Sequence, residues 1–397
     1  MTVDKIFNLL ARDDKKSLSE LFDEKKKELR LSQNQIENIL GVEYRTLSGI
    51  INRTAKRVDI LNVFKLGYFL GVEPEELIQL YVSDMPSEKI GEIEKVKRTN
   101  FIAQNFDLNN LKKIGFIDSI NDFEHIEERI TNFFGFNSVI DFNRNFSEAL
   151  FSRTRRKTNN KMLDFWVKSA YSFFDKLDNP NVYDREALVD LIPKIRPYTR
   201  NVKDGLKIIS NALANVGVSV IFQPHLPTTQ IRGGTFYVNG NPCIVITDLN
   251  KNYATLWFAL FHELYHVLYD LERIQEVTYH LRDEPDIFLI QEENADKFAQ
   301  DYLFSDSRLK YVAPLIHNHV AVRDYAEECQ VHPSIIYSFF QYAKYEEGEN
   351  YWGAFSEHFP SVEEAVKKIN IYPWDKKRLD ESVQSMVEKF ESYQIES

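Results

Sequence analysis

The stretch Phe258-Ala259-Leu260-Phe261-His262-Glu263-Leu264-Tyr265-His266-Val267-Leu268 decides how the rest of the chain is read. It sets the pattern H-E-x-x-H inside a long apolar run. In a helix, residues four apart stack on one face, so His262 and His266 would present their imidazoles side by side. Two imidazoles at that spacing can share one Zn²⁺. Glu263 is then placed as general base toward the water that such an ion activates. The plainer reading is a buried amphipathic helix with two hydrogen-bonded core histidines. A third ligand separates the two.

A catalytic zinc takes three protein ligands and keeps one position open. Downstream, Gln291-Glu292-Glu293-Asn294-Ala295-Asp296-Lys297-Phe298-Ala299 has the required chemistry. The spacing predicts a helix with Ala295, Phe298, Ala299 and Tyr302 on its buried side. Glu292 and Asp296, four apart, leave from one face. Glu292 suits a ligand, and Asp296 suits the acceptor for the free N–H of a ligand histidine. Glu293 is the alternative ligand. A helix start favours acids through its dipole, which accounts for the Glu pair alone but not for its company with an H-E-x-x-H helix. His280 reads as a surface or packing histidine, with polarisation of a substrate carbonyl as the sharper alternative.

Upstream, residues 217–222 are short, β-branched and bounded by Pro224, which predicts a strand. Residues 235–238 and 243–247 read as a hairpin across Asn239-Gly240, a strong tight-turn signal. In a small metallopeptidase an edge strand lies beside the metal and holds an extended peptide by strand addition. Residues 231–238 or 243–247 are the candidates. Cys243, within an apolar run, reads as a small buried residue.

The chain has 397 residues, enough for two or three domains, and is 43% hydrophobic and 27% charged, which marks it as globular. No apolar run reaches the length of a membrane span, so no membrane partner is expected. The N-terminus lacks the pattern of a signal peptide, and two cysteines are too few for a disulfide framework, so a cytoplasmic setting is expected. The net charge of −11 argues against bulk attraction to nucleic acid. Any DNA binding must come from a local patch.

Arg45, Arg53, Lys56 and Arg57, the only charges between Tyr44 and Arg57, offer one early in the chain. Residues 1–30 read as helical, residues 31–42 as a short helix with Ser32 as N-cap and Gly41 as stop, and residues 44–53 as the helix after it. A fourth helix and a fifth, with Pro74 at its start, follow. The motifs Leu31-Ser32-Gln33, Leu40-Gly41-Val42, Thr46-Leu47-Ser48-x-Ile50 and Leu70-Gly71-Val72-x-Pro74-x-x-Leu77 resemble the five-helix DNA-binding domain of phage-repressor-type (Xre) regulators. The resemblance spans about residues 15–82. It implies a helix-turn-helix with Tyr44, Arg45, Thr46, Ser48, Gly49 and Asn52 facing the major groove of an operator, and Gln33 and Arg53 near phosphates. The basic run Arg153-Thr154-Arg155-Arg156-Lys157 reads as a solvated face or loop.

The second half resembles the ImmA/IrrE-type metallopeptidases over about residues 160–345. The carriers are Ile231-Arg232-Gly233-Gly234-Thr235-Phe236, the helix around His262-Glu263-Leu264-x-His266, and Glu292-x-x-Ala295-Asp296-x-Phe298-Ala299. The resemblance implies Zn²⁺, with Mn²⁺ as the alternative ion, and cleavage of a partner regulator. Tyr265 stands where that family has a small residue. The fold class expected is mostly α with a small β-sheet (α+β). Its parts are a helix-turn-helix domain over 1–82, a helical connector over 83–160, a zincin-like domain over 161–345 and a helical extension over 346–397. The functional expectation is a DNA-binding regulator, dimeric by analogy with palindrome readers, that carries a zinc endopeptidase. Two alternatives stand beside it. One is a HigA-like antitoxin that binds a toxin and represses its own operon. The other is a protease that docks its substrate through the helix-turn-helix module.

Overall fold

The computed structural model describes residues 16–55, 57–73, 76, 77, 80, 87–143, 160–277, 279–281, 292–370, 374 and 378–394. The basic run of 153–157 and most of the expected fifth helix lie outside these residues. The fold is mostly helical with one small mixed sheet, as the patterning predicts. Two compact units are present, Met1–Lys97 and Arg98–Ser397.

In the first unit, helices α1 (Leu18–Leu29), α2 (Gln33–Leu40), α3 (Tyr44–Ile51) and α4 (Ile60–Leu70) enclose Leu18, Phe22, Ile36, Leu47, Ile50 and Leu66. Ser17 and Ser32 each close a capping box, with Glu20 and Gln35 as reciprocal partners. Gly41 ends α2 in the left-handed region, φ 62°. Glu43 at the start of α3 gives no side-chain cap. The Tyr44 N–H instead donates to Glu37 Oε1 from α2 at 2.5 Å. One carboxylate thus supplies the missing cap and ties the two helices together.

The stretch expected as a connector is part of the second unit's core from Ile102 onward. Helix α5 (Ser87–Asn105) contains the boundary between the units. Its C-terminal end, α6 (Leu108–Lys113), α7 (Phe123–Phe134) and α8 (Lys161–Leu177) build an aromatic cluster around Phe106, Phe116, Phe133 and Phe165. Phe165 lies 5.0 Å from Phe116 and 5.4 Å from Trp374 by ring centroid.

After α9 (Arg185–Leu191) and α10 (Gly205–Asn215) the chain enters the sheet. Strands β1 (Ser219–Phe222), β2 (Gly233–Val238), β3 (Asn241–Ile246) and β4 (Tyr279–Leu281) lie in the order β1-β3-β2-β4. The hairpin turn is the expected one: Asn239 and Gly240 both take positive φ, 50° and 87°, as a type I′ turn requires. Side chains alternate faces along a strand. Val220, Phe222, Ile244 and Ile246 join one core with the later helices, while Ile221, Phe236, Val238 and Val245 join the aromatic cluster. The sheet is therefore covered on both faces. One expectation is corrected here. β2 and β3 are both internal, each paired on two sides, so neither offers an edge for an added strand. Among the described residues the edge beside the motif is β4.

Helix α11 (Tyr253–Tyr269) carries the H-E-x-x-H motif and is buried on nearly all sides, as an all-apolar helix must be. Asn252 caps it, its side chain accepting from the Ala254 N–H at 2.8 Å. After α12 (Leu271–Val277), helix α13 (Glu292–Leu303) packs along α11, with Phe261 and Tyr302 stacked at 6.0 Å. Helices α14 (Asp306–Val312), α15 (His319–Glu328) and α16 (Pro333–Glu346) complete that side. The C-terminal extension packs on the body. Residues of α17 (Val362–Val366) enter one core, and Leu379 and Val383 of α18 (Leu379–Gln394) enter the other.

Candidate metal centre

His262 and His266 are fully buried one turn apart on α11, and their Nε2 atoms lie 3.1 Å from each other. Glu292, at the first position of α13, approaches both: Oε2 is 3.2 Å from His262 Nε2 and Oε1 is 3.4 Å from His266 Nε2. Zinc bonds of about 2.0–2.1 Å opened at a tetrahedral angle place ligand atoms about 3.3–3.4 Å apart. The separations are close to that spacing, with a different Glu292 oxygen facing each ring, and the three residues form a group that could hold a metal ion. Glu293 is exposed and does not join it.

The rings are held from behind. His262 Nδ1 lies 2.9 Å from Asp296 Oδ1, as the sequence spacing predicts, and His266 Nδ1 lies 2.9 Å from Asp270 Oδ2. Asp270 is buried and follows the last residue of α11. With both Nδ1–H groups donated to carboxylates, two Nε2 lone pairs face each other, and only a proton or a metal ion between them relieves the repulsion. Charge points the same way. Burial lowers the His266 pKa, but hydrogen bonds to Asp270 and Glu292 and the nearby Glu263 charge outweigh it and raise it to about 9. Burial raises the Glu292 pKa, but bonds from His262, His266 and His280 outweigh that and hold it well below the usual carboxylate range. The site selects positive charge.

His280, expected as a surface or packing histidine with a role at the substrate as the alternative, is not at the surface but beside the metal-ligating group. It is fully buried on β4, paired across the sheet with Thr235, and its Nε2 lies 2.7 Å from Glu292 Oε1. Among the described residues its Nδ1 has no hydrogen-bond partner. Alternation on β2 and β4 sends Gly233, Thr235 and His280 toward α11 from one face of the sheet. Thr235 Oγ1 donates to Glu263 Oε2 at 2.7 Å, and Glu263 Oε1, also buried, has no partner. A Cβ on Gly233 would come within 2.7 Å of that oxygen. The glycine is what lets β2 pass so close to Glu263. Tyr265 packs its ring against Tyr269 and Phe298 at 4.7 and 5.6 Å, with an edge to His266 at 5.7 Å. Cys243 is buried in the sheet, its thiol pushed up by burial, and is no ligand of this group. A cleft of about 350 Å³ borders Asp296, lined by Arg232, Phe258, Phe339, Tyr342 and Glu346 among others.

In the first unit, α3 buries Leu47, Ile50 and Ile51 and leaves Arg45, Thr46 and Asn52 exposed, with Ser48 partly so; Gln33 is exposed on α2. Asn52 Nδ2 donates to Ser48 Oγ at 3.1 Å. Three of the residues expected to contact DNA also make contacts within the unit. Arg53 Nη1 donates to the Ile50 and Ile51 carbonyls at 2.9 and 3.3 Å, and Nη2 to that of Leu80 at 3.0 Å. Tyr44 accepts from Lys26 at 3.3 Å and packs against Phe22. Gly49 sits against Ala55, where a Cβ would meet the Ala55 Cβ at 3.4 Å.

No protein-family model, curated protein or solved structure matches the chain. The chemistry of the site rests on its own geometry. Among the described residues, no helix is long and apolar enough to cross a membrane.

Proposed function

We propose that the second unit is a zinc-dependent endopeptidase acting on a partner regulatory protein, and that the first unit binds an operator in double-stranded DNA. The observation that carries the first half is the convergence of His262, His266 and Glu292, whose ring nitrogens lie 3.1 Å apart with one Glu292 oxygen 3.2 Å from the first and the other 3.4 Å from the second. Two nitrogens and an oxygen suit Zn²⁺, with Mn²⁺ as the alternative. Bound there, Zn²⁺ would polarise a substrate carbonyl and bring the pKa of water toward about 7. The chain's own residues supply the rest. Asp296 and Asp270 fix the two rings. Thr235 holds one oxygen of Glu263, leaving Oε1 to take the proton of the attacking water and return it to the leaving amine. The cleft beside Asp296 would seat a substrate side chain, and the β4 edge would align its backbone.

Glu263→Gln keeps the ligands and the shape and removes the base. The expected result is full metal content and no specific cut when the metal-loaded protein is incubated with the product of the neighbouring gene. Retained cleavage in that variant would sink the mechanism. One observation favours a second reading. His262, Glu263 and His266 are all fully buried, which suits a metal that holds or senses rather than turns over, as in an antitoxin that autorepresses. Metal binding without cleavage in the wild type, together with tight capture of an adjacent small toxin, would select it.

The DNA half rests on the two short helices α2 and α3, turned at Gly41 and tied by the Glu37 carboxylate, and on the exposed Arg45, Thr46 and Asn52. Retention on operator DNA should fall with rising salt as phosphate contacts are lost.

A further inference from the structure

A second group of metal-ligating side chains lies outside α11 and α13. His319 is the first residue of α15, and Glu357 and His358 end a 3₁₀ turn, Ser356–His358, in the C-terminal extension. One ligand atom from each lies within 4.8 Å of the other two. His358 Nε2 is 3.5 Å from Glu357 Oε1, and the two imidazole rings are 4.2 Å apart by centroid.

The way the rings are held separates this group from a chance meeting of surface residues. His319 Nδ1 lies 2.8 Å from the hydroxyl of Tyr337, which is buried. With Nδ1–H donated to that oxygen, Nε2 is left as the ligand atom, the backing that metal-bound histidines normally have. The His358 ring stacks on Tyr337 at 4.8 Å and 14°. Its Nε2 is buried and, among the described residues, makes no hydrogen bond, with the Glu357 carboxylate no nearer than 3.5 Å. A buried imidazole nitrogen without a partner is costly, and a metal ion satisfies it. His319 and Glu357 are exposed, so the remaining coordination positions open to solvent.

We propose that His319, Glu357 and His358 form a second divalent-metal site, separate from the α11 centre. Two imidazoles and one carboxylate suit a late first-row ion of the Zn²⁺ or Ni²⁺ class rather than Ca²⁺ or Mg²⁺, which prefer all-oxygen sets. An ion held there clamps the C-terminal extension to the start of α15.

The test is equilibrium dialysis of the full-length protein against Zn²⁺ alone, with bound zinc counted per chain by mass spectrometry. The wild type should bind two equivalents. His319→Ala, His358→Ala and Glu357→Gln should each lose one, or bind it at least tenfold more weakly, while His262→Ala loses the other. Melting curves in chelator check that the surface variants fold. Wild-type stoichiometry in His319→Ala and Glu357→Gln would overturn the proposal, as would a folded His262→Ala that binds no zinc. A single wild-type equivalent that His262→Ala keeps and His319→Ala loses would sustain this site and remove the α11 centre.

Discussion

Glu263 has one oxygen tied to Thr235 and one without a hydrogen-bond partner among the described residues, and a Cβ on Gly233 would fall 2.7 Å from the latter. That crowding makes Gly233 a positioning residue. Gly233→Ala should leave the Zn²⁺ count unchanged and lower kcat by tenfold or more, because the added Cβ must displace the base. A kcat equal to wild type would show that the carboxylate is not the working group. Behind the proposed metal site, Asp296→Asn and Asp270→Asn should each weaken Zn²⁺ binding by about 10–100-fold, since each holds the ring of a proposed ligand. Competition with a chromophoric chelator measures this, and unchanged affinity would remove those roles. Arg53 behaves differently from Arg45. Arg53→Ala removes bonds to three carbonyls and should destabilise the first unit by about 1–3 kcal/mol. Arg45→Ala should leave the melting point alone and weaken retention on DNA.

At the scale of elements, the parts that were legible are those with a local signature. The H-E-x-x-H helix shows because its apolar run is continuous, and the β2–β3 hairpin shows because Asn239-Gly240 fits only one kind of turn. Glu292 and Asp296 show because a four-residue spacing sends both to one face. β4 was not legible: three residues give no period, and their pairing with Gly234, Thr235 and Phe236 is purely tertiary. His280 was lost with it, since nothing near it in sequence points to Glu292. The same reason hid the carbonyl partners of Arg53 and the carboxylate cap that Glu37 gives to α3.

One element carries its own pH signal. His332 caps α16, its Nδ1 accepting from the Ser334 N–H at 3.2 Å, and burial lowers its pKa from 6.5 to about 4. Between those values the unfolded chain binds the proton more readily than the folded one. The contribution of His332 to stability is therefore fully present above pH 6.5 and is lost as pH falls toward 4. His332→Asn keeps a cap-forming side chain and should flatten that limb of a melting-temperature profile. An identical acid limb in the variant would assign it to other groups.

For the whole molecule, two units with separate cores imply separable properties. An ion that binds only the folded second unit stabilises it by mass action, about 2.7 kcal/mol at a hundredfold excess over Kd. Chelation should lower the melting transition of that unit and leave salt-dependent retention on DNA unchanged. Loss of DNA retention on chelation would mean that metal state is transmitted to the first unit.

The most direct measurement is the zinc content of the full-length protein and of His262→Ala, purified identically and dialysed against the same Zn²⁺ buffer. The α11 centre predicts that the variant binds one equivalent fewer per chain, while Glu263→Gln matches the wild type. Equal zinc in wild type and His262→Ala would contradict it.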